Sequence, residues 1–131
     1  MHKILQPQGW KKASGYANGI AASGTTIFTG GQIGWNADQQ FESDDFVEQL
    51  EQVLLNIVAV LAEANAGPEH LVRLTWFVTN REEYVSNLTE IGRAYRRVLG
   101  KNFPAMSVVE VSSLMEKRAK IEIEATAVLP A

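Results

Sequence analysis

The chain has no cysteine. Disulfides, thiolate nucleophiles and cysteine-based metal sites are therefore excluded by inventory. Histidine is nearly as scarce: His2 and His70 stand far apart, and the expectation is no metal. No apolar run is long enough to span a bilayer, and Met1-His-Lys-Ile-Leu-Gln-Pro-Gln lacks the apolar core and cleavage site of a secretory leader. A cytoplasmic protein with no membrane partner is expected, in which the sequon Asn87-Leu-Thr89 carries no glycan. Nor is there an excess of positive charge. Twelve Lys and Arg against 15 Asp and Glu give a net charge of -3, so bulk electrostatics offers no attraction to nucleic acid.

What is present is an ordinary globular composition, 46% hydrophobic over 131 residues, without a linker. One domain spanning 1–131 is expected, large enough to bury a core without staples. Ala17 to Ser23 and Thr25 to Gln32 read as two strands meeting at Ser23-Gly24, an opening hairpin. The second ends in Gly30-Gly31, where the missing side chains either let another backbone or a ligand approach or simply mark the strand exit. In the loop that follows, Trp35 is either a lid on a pocket or an interface anchor.

From Asp44 to Ala64, Phe46, Leu50, Val53, Leu54, Ile57, Leu61 and Ala64 recur every three or four residues, which predicts an amphipathic helix. Ser43 or Asp45 is its expected cap, and Asn65-Ala-Gly-Pro68 its close, with the glycine as C-cap. Leu71 to Thr79 is a strand rich in branched and aromatic residues, apolar on both faces apart from Arg73 and Thr75. A second helix carries Tyr84, Leu88, Ile91, Tyr95 and Val98, starting at the pair Asn80 and Glu83 or at Asn87 and Glu90, and ending at Gly100. Its Arg93, Arg96, Arg97 and Lys101 form a local basic patch without interleaved aromatics, which suits a solvated helix face better than an RNA site.

Two strands close the chain, Phe103 to Val111 and Lys120 to Val128. In the last, Ile121, Ile123, Ala125 and Ala127 share one side, and Glu122 and Glu124 the other. The order hairpin, helix, strand, helix, strand, strand implies an α+β fold, a sheet with both helices on one face. The opposite face then carries apolar area that needs cover, which argues for sheet-to-sheet assembly with further copies of the chain.

Gly15-Tyr-Ala-Asn-Gly19, Thr29-Gly-Gly-Gln-Ile33, Leu55-Asn-Ile-Val-Ala-Val-Leu-Ala-Glu-Ala64, Phe103-Pro-Ala105, Val109-Glu-Val111 and Ile121-Glu-Ile-Glu-Ala125, in this order and spacing, resemble the Rid (reactive intermediate deaminase) family, also called YjgF/YER057c/UK114. The likeness runs from about Gly15 to Val128. It implies a chorismate-mutase-like mixed sheet backed by two helices, with the sheets forming the central barrel of a homotrimer and clefts between neighbouring subunits. It also implies hydrolysis of reactive enamines and imines to a keto acid and ammonia, with no cofactor. Matched position by position, the resemblance assigns the last-strand glutamate that works on water and the substrate nitrogen to Glu122. The tyrosine of the first glycine-rich motif falls on Tyr16, and the backbone after the second strand on Gly31.

One departure is chemically large. The family's Pro-Ala-Arg, whose Arg grips the substrate carboxylate, is Pro104-Ala105-Met106 here, and the cysteine two places on is Val108. Losing a hydrogen bond to a charged group costs roughly 1.5–3 kcal/mol, before desolvation of the carboxylate is added. A pocket of Tyr16, Met106, Val108 and Trp35 is expected to suit a neutral or partly aromatic ligand, with Arg73 as a weak substitute cation. Glu122 is either the acid and base of a C=N hydrolase or a structural group at the interface. The function expected is an imine or enamine hydrolase with an altered substrate; the alternative is a trimer that binds a small ligand or regulates without turnover.

Overall fold

A computed structural model describes residues 2–131. In chain order its elements are β1 (Lys3–Leu5), β2 (Gly19–Ala21), β3 (Thr25–Phe28), β4 (Gln32–Ile33), α1 (Phe46–Ala62), β5 (Leu71–Val78), α2 (Arg81–Val85), α3 (Leu88–Leu99), β6 (Ala105–Glu110) and β7 (Ile121–Leu129). The architecture is α+β: a mixed five-stranded sheet in the order β3-β7-β5-β6, with β4 continuing along β7, and two main helices packed against it.

α1 forms where the apolar spacing predicts it. Asp45 caps it by accepting from the Glu48 amide at 3.0 Å, and Ser43 supports the turn by accepting from the Asp45 amide at 2.9 Å. Leu50, Val53, Leu54, Ile57 and Leu61 have no exposed surface. Full burial of such side chains is worth roughly 1.5–3 kcal/mol each, so this stripe anchors the helix to the sheet. The helix ends differently from expectation. Asn65, at φ 59°, takes the left-handed position, while Gly67 lies extended and starts the short 3-10 turn Pro68–His70. Asn tolerates that backbone through its short polar side chain, so the glycine is not needed there.

The opening hairpin is corrected. β2 pairs with β1, Ile20 facing Ile4, and β3 pairs with β7, Phe28 facing Thr126. Gly24 does turn the chain, at φ 140°, but a β-carbon there would overlap the Leu129 carbonyl, so the turn is pressed against the end of β7 rather than joining two partners. The second helical segment is also interrupted. Asn80 caps α2 by accepting from the Glu83 amide at 3.1 Å, the helix breaks at Ser86 and Asn87, and α3 runs on to Gly100 at φ 67°.

β5 is central, parallel to β6 and antiparallel to β7. Leu74, Trp76 and Val78 on β5 and Ile121, Ile123, Ala125 and Ala127 on β7 are buried under the helices. The other face, which the sequence suggests is covered, carries no helix in the single chain. Arg73, Thr75, Phe77, Ser107, Val109, Glu122 and Glu124 line up across it in register, with Phe28 beyond them on β3. Phe28 is 74% exposed and Val109 43%.

Candidate functional site

β7 places Glu122 on the helix-free face. Its neighbour across the edge is the joint between β3 and β4. Phe28 faces Thr126 and Gln32 faces Ile123, so four steps along one strand match three along the other, and the joint holds one extra residue. Thr29 anchors this bulge from inside: its amide donates to the Ala125 carbonyl at 2.9 Å, and its Oγ1 accepts from the Ala125 amide at 3.0 Å. A strand bends and re-aims its side chains at such a point. Here the bend lays Gly31 directly on the Glu122 side chain, and a β-carbon at Gly31 would overlap the carboxylate. The atoms met are the far end of a flexible side chain, so the missing methyl group lets the carboxylate lie close rather than being demanded by the backbone. Gly31 and the Glu122 carboxylate are thus brought together on this face.

Tyr16, Met106 and Val108, the other expected site residues, lie on the opposite side of the sheet. The alternation of β6 turns Met106, paired with Leu74, and Val108, paired with Trp76, toward the helices. They line a cleft of about 690 Å3 together with Tyr16, Trp76, Tyr84, Tyr95, Phe103 and Arg96. This is within the usual size range for a small-molecule site. Tyr16 is held at its mouth because the Ala17 amide donates to the Pro104 carbonyl at 3.0 Å, running the glycine-rich segment alongside the start of β6. Gly15, at φ 77°, turns the chain into that position.

The inner wall of the cleft is aromatic. Tyr95 stacks on Phe103 with ring centres 5.3 Å apart and on Trp76 at 6.3 Å, and Tyr84 meets Trp76 edge-on at 6.2 Å. The Tyr95 hydroxyl donates to the Asn102 carbonyl, and burial pushes that phenol well above its ordinary value. Trp76 is 2% exposed and its Nε1 has no hydrogen-bond partner. Leaving a buried donor unmet costs about 1–3 kcal/mol.

The remaining expected site residues fall elsewhere. Trp35 does not line the cleft; its ring lies 6.0 Å from Phe41, and its carbonyl accepts from Asn56 Nδ2 at 2.8 Å. Arg73 is on the helix-free face, beside Thr126 and Ala105 in the sheet. Of the basic patch on α3, Arg93 pairs with Glu90 and Arg97 with Glu51, each at 2.7 Å, whereas Arg96 lines the cleft. Sequence reasoning missed Arg96, Trp76 and the tyrosines as a group. The signal was there in Tyr84, Ile91 and Tyr95, one helical face turned toward a strand bearing Trp76.

Residues 8–129 match the family model described as Endoribonuclease L-PSP. A "RutC family protein" of Haemophilus influenzae is 34% identical over 105 residues, 80% of each chain. Among solved structures, a protein of unknown function of the conserved Rid protein family from Yersinia pestis superposes with a TM-score of 0.87 at 32% identity, over 98% of both chains. Escherichia coli TdcF with bound serine superposes at 0.69 with 27% identity, over 97% of this chain and 98% of that one.

Proposed function

The chain belongs to the Rid family, also known as YjgF/YER057c/UK114 and as endoribonuclease L-PSP, and from that membership we propose that it hydrolyses the C=N bond of a small enamine or imine at a cleft between subunits. The family includes enamine and imine deaminases. The single observation that carries the reading here is the division of the site. Glu122 with Gly31 lies on one side of the sheet and the Tyr16–Met106–Val108 cleft on the other, so the two halves can meet only when copies of the chain assemble. The exposed Phe28 and Val109 on the helix-free face supply the apolar area for that assembly, which we take to be a homotrimer with its sheets inward.

The reaction balances without a cofactor. Glu122 delivers a proton to the imine nitrogen and then takes one from water as its oxygen bonds to carbon. It returns that proton to the amine and takes the hydroxyl proton as the C–N bond breaks and the C=O bond forms, leaving a ketone, ammonia and Glu122 protonated as it began. Gly31, having no side chain, leaves the carboxylate room and offers its backbone to the substrate. Met106 puts a thioether where the family pattern has the carboxylate-gripping cation, so the favoured substrate differs from the short imino acids of Arg-bearing relatives. The same departure favours the second reading, a ligand-binding or regulatory trimer without turnover. Ribonuclease action has less support, since Arg93 and Arg97 are committed to carboxylates rather than free to hold phosphates.

Glu122→Gln tests the assignment. It keeps the shape and loses the proton transfer, so ammonia release from enzyme-generated imines should fall on the order of 10²–10⁴-fold with thermal unfolding nearly unchanged. Unaltered turnover would return Glu122 to a structural role; no turnover by wild type on any imine tried would favour the binding protein.

A further inference from the structure

We propose that the aromatic cleft beside β6 binds a small carboxylic acid with a flat aromatic body, and that Arg96 on α3, rather than residue 106 on β6, holds its carboxylate. The two arginines that flank Arg96 on the helix are each satisfied, Arg93 by Glu90 and Arg97 by Glu51. Arg96 has no carboxylate partner among the described residues, and it lines the cleft. A guanidinium left unpaired at the edge of an aromatic cavity is suited to a planar carboxylate, which it can meet through two parallel bonds.

The body of the cleft points the same way. The stacked Tyr95 and Phe103 and the edge-on Tyr84 beside Trp76 present ring faces and edges to a flat apolar group. Gly92 completes the wall. Glycine weakens a helix interior, but here a β-carbon would stand 3.3 Å from Arg96 Nη1, so its absence leaves the guanidinium free to lie against the helix. If the cleft serves catalysis the ligand is an aromatic 2-imino acid, its C=N presented to Glu122 of the partner subunit. That extension rests on the hydrolase reading; the binding site does not.

Titration calorimetry with phenylpyruvate, phenylacetone and pyruvate separates the contributions, since the second lacks the carboxylate and the third lacks the ring. Wild type should bind phenylpyruvate at least tenfold more tightly than either. Arg96→Gln should weaken phenylpyruvate at least tenfold, about 1.4 kcal/mol, and leave phenylacetone unchanged. Equal affinity for phenylpyruvate and phenylacetone, undiminished binding by Arg96→Gln, or no binding of phenylpyruvate by wild type overturns the inference. The hydrolase reading fails separately: tight, Arg96-dependent binding without ammonia release from the corresponding imine upholds the site and removes the enzyme.

Discussion

A glycine lying on a carboxylate is a restraint that a single methyl group can test. Gly31→Ala should push the Glu122 side chain aside, because the atoms it would strike are the far end of a flexible side chain rather than backbone. The expected result is a loss of turnover of at least about tenfold, about 1.4 kcal/mol in the barrier, with the melting temperature little changed. Met106→Arg tests the other half-site. Its side chain is a comparable unbranched stem, so wild type should be poor on short 2-imino acids and the variant better by about tenfold or more, within the range of one charged hydrogen bond. Thermal unfolding measured alongside ammonia release separates a lost fold from a misplaced residue. Gln49 belongs to stability instead. It is 1% exposed; its Nε2 donates to the carbonyls of Ser43 and Arg118, and its Oε1 accepts from the Lys120 amide. Gln49→Met should cost at least about 1–3 kcal/mol in denaturant unfolding, because it strands buried backbone groups. The sequence hides this role, since a polar residue in an amphipathic stripe reads as solvent-facing and two of its partners lie 69 and 71 residues further on.

Elements are legible when the information that forms them is local. α1 carries its own period and its own caps, and the structure follows both at Asp45 and along the buried stripe. The alternation in β7 likewise tells which side Glu122 takes. Strand pairing is a different matter. β2 and β3 sit next to each other and look like a hairpin, yet β3 takes its partner from the far end of the chain, and nothing within either segment encodes that choice. The division of the site is hidden for a related reason. The parity of Met106 against Glu122 becomes visible only through the common register on β5, where Leu74 faces Met106 and Phe77 faces Glu122. α3 also makes a prediction about pH. Burial raises the Tyr95 phenol well above its ordinary value, and Tyr84 on α2 is shifted in the same direction by the same cause. Below about pH 10 both states keep their protons and the contribution is fully present; above it the unfolded chain ionises first, so stability should fall as pH rises. Denaturant midpoints between about pH 9 and about pH 11 should fall less steeply for Tyr95→Phe than for wild type.

At the scale of the whole molecule the helix-free face sets the behaviour. Phe28→Asp puts a charge on the most exposed aromatic of that face, and light scattering coupled to size exclusion should then give monomer where wild type should give the proposed trimer, with the circular dichroism spectrum preserved. A wild type that runs as a monomer would remove both the assembly and the shared site. That one side of the sheet bears the carboxylate and the other the cleft has a genetic consequence. In the proposed assembly each centre would draw its acid from one polypeptide and its pocket from the next, so a chain crippled in only one half would still donate the other. Under that proposal Glu122→Gln protein and a chain disabled only in the cleft should regain turnover when refolded together. In an equal mixture about a quarter of the junctions would join an intact carboxylate to an intact cleft. Two defective alleles in one cell would therefore complement each other, whereas a single Phe28→Asp allele would simply be left out of the assembly and leave its neighbours unharmed.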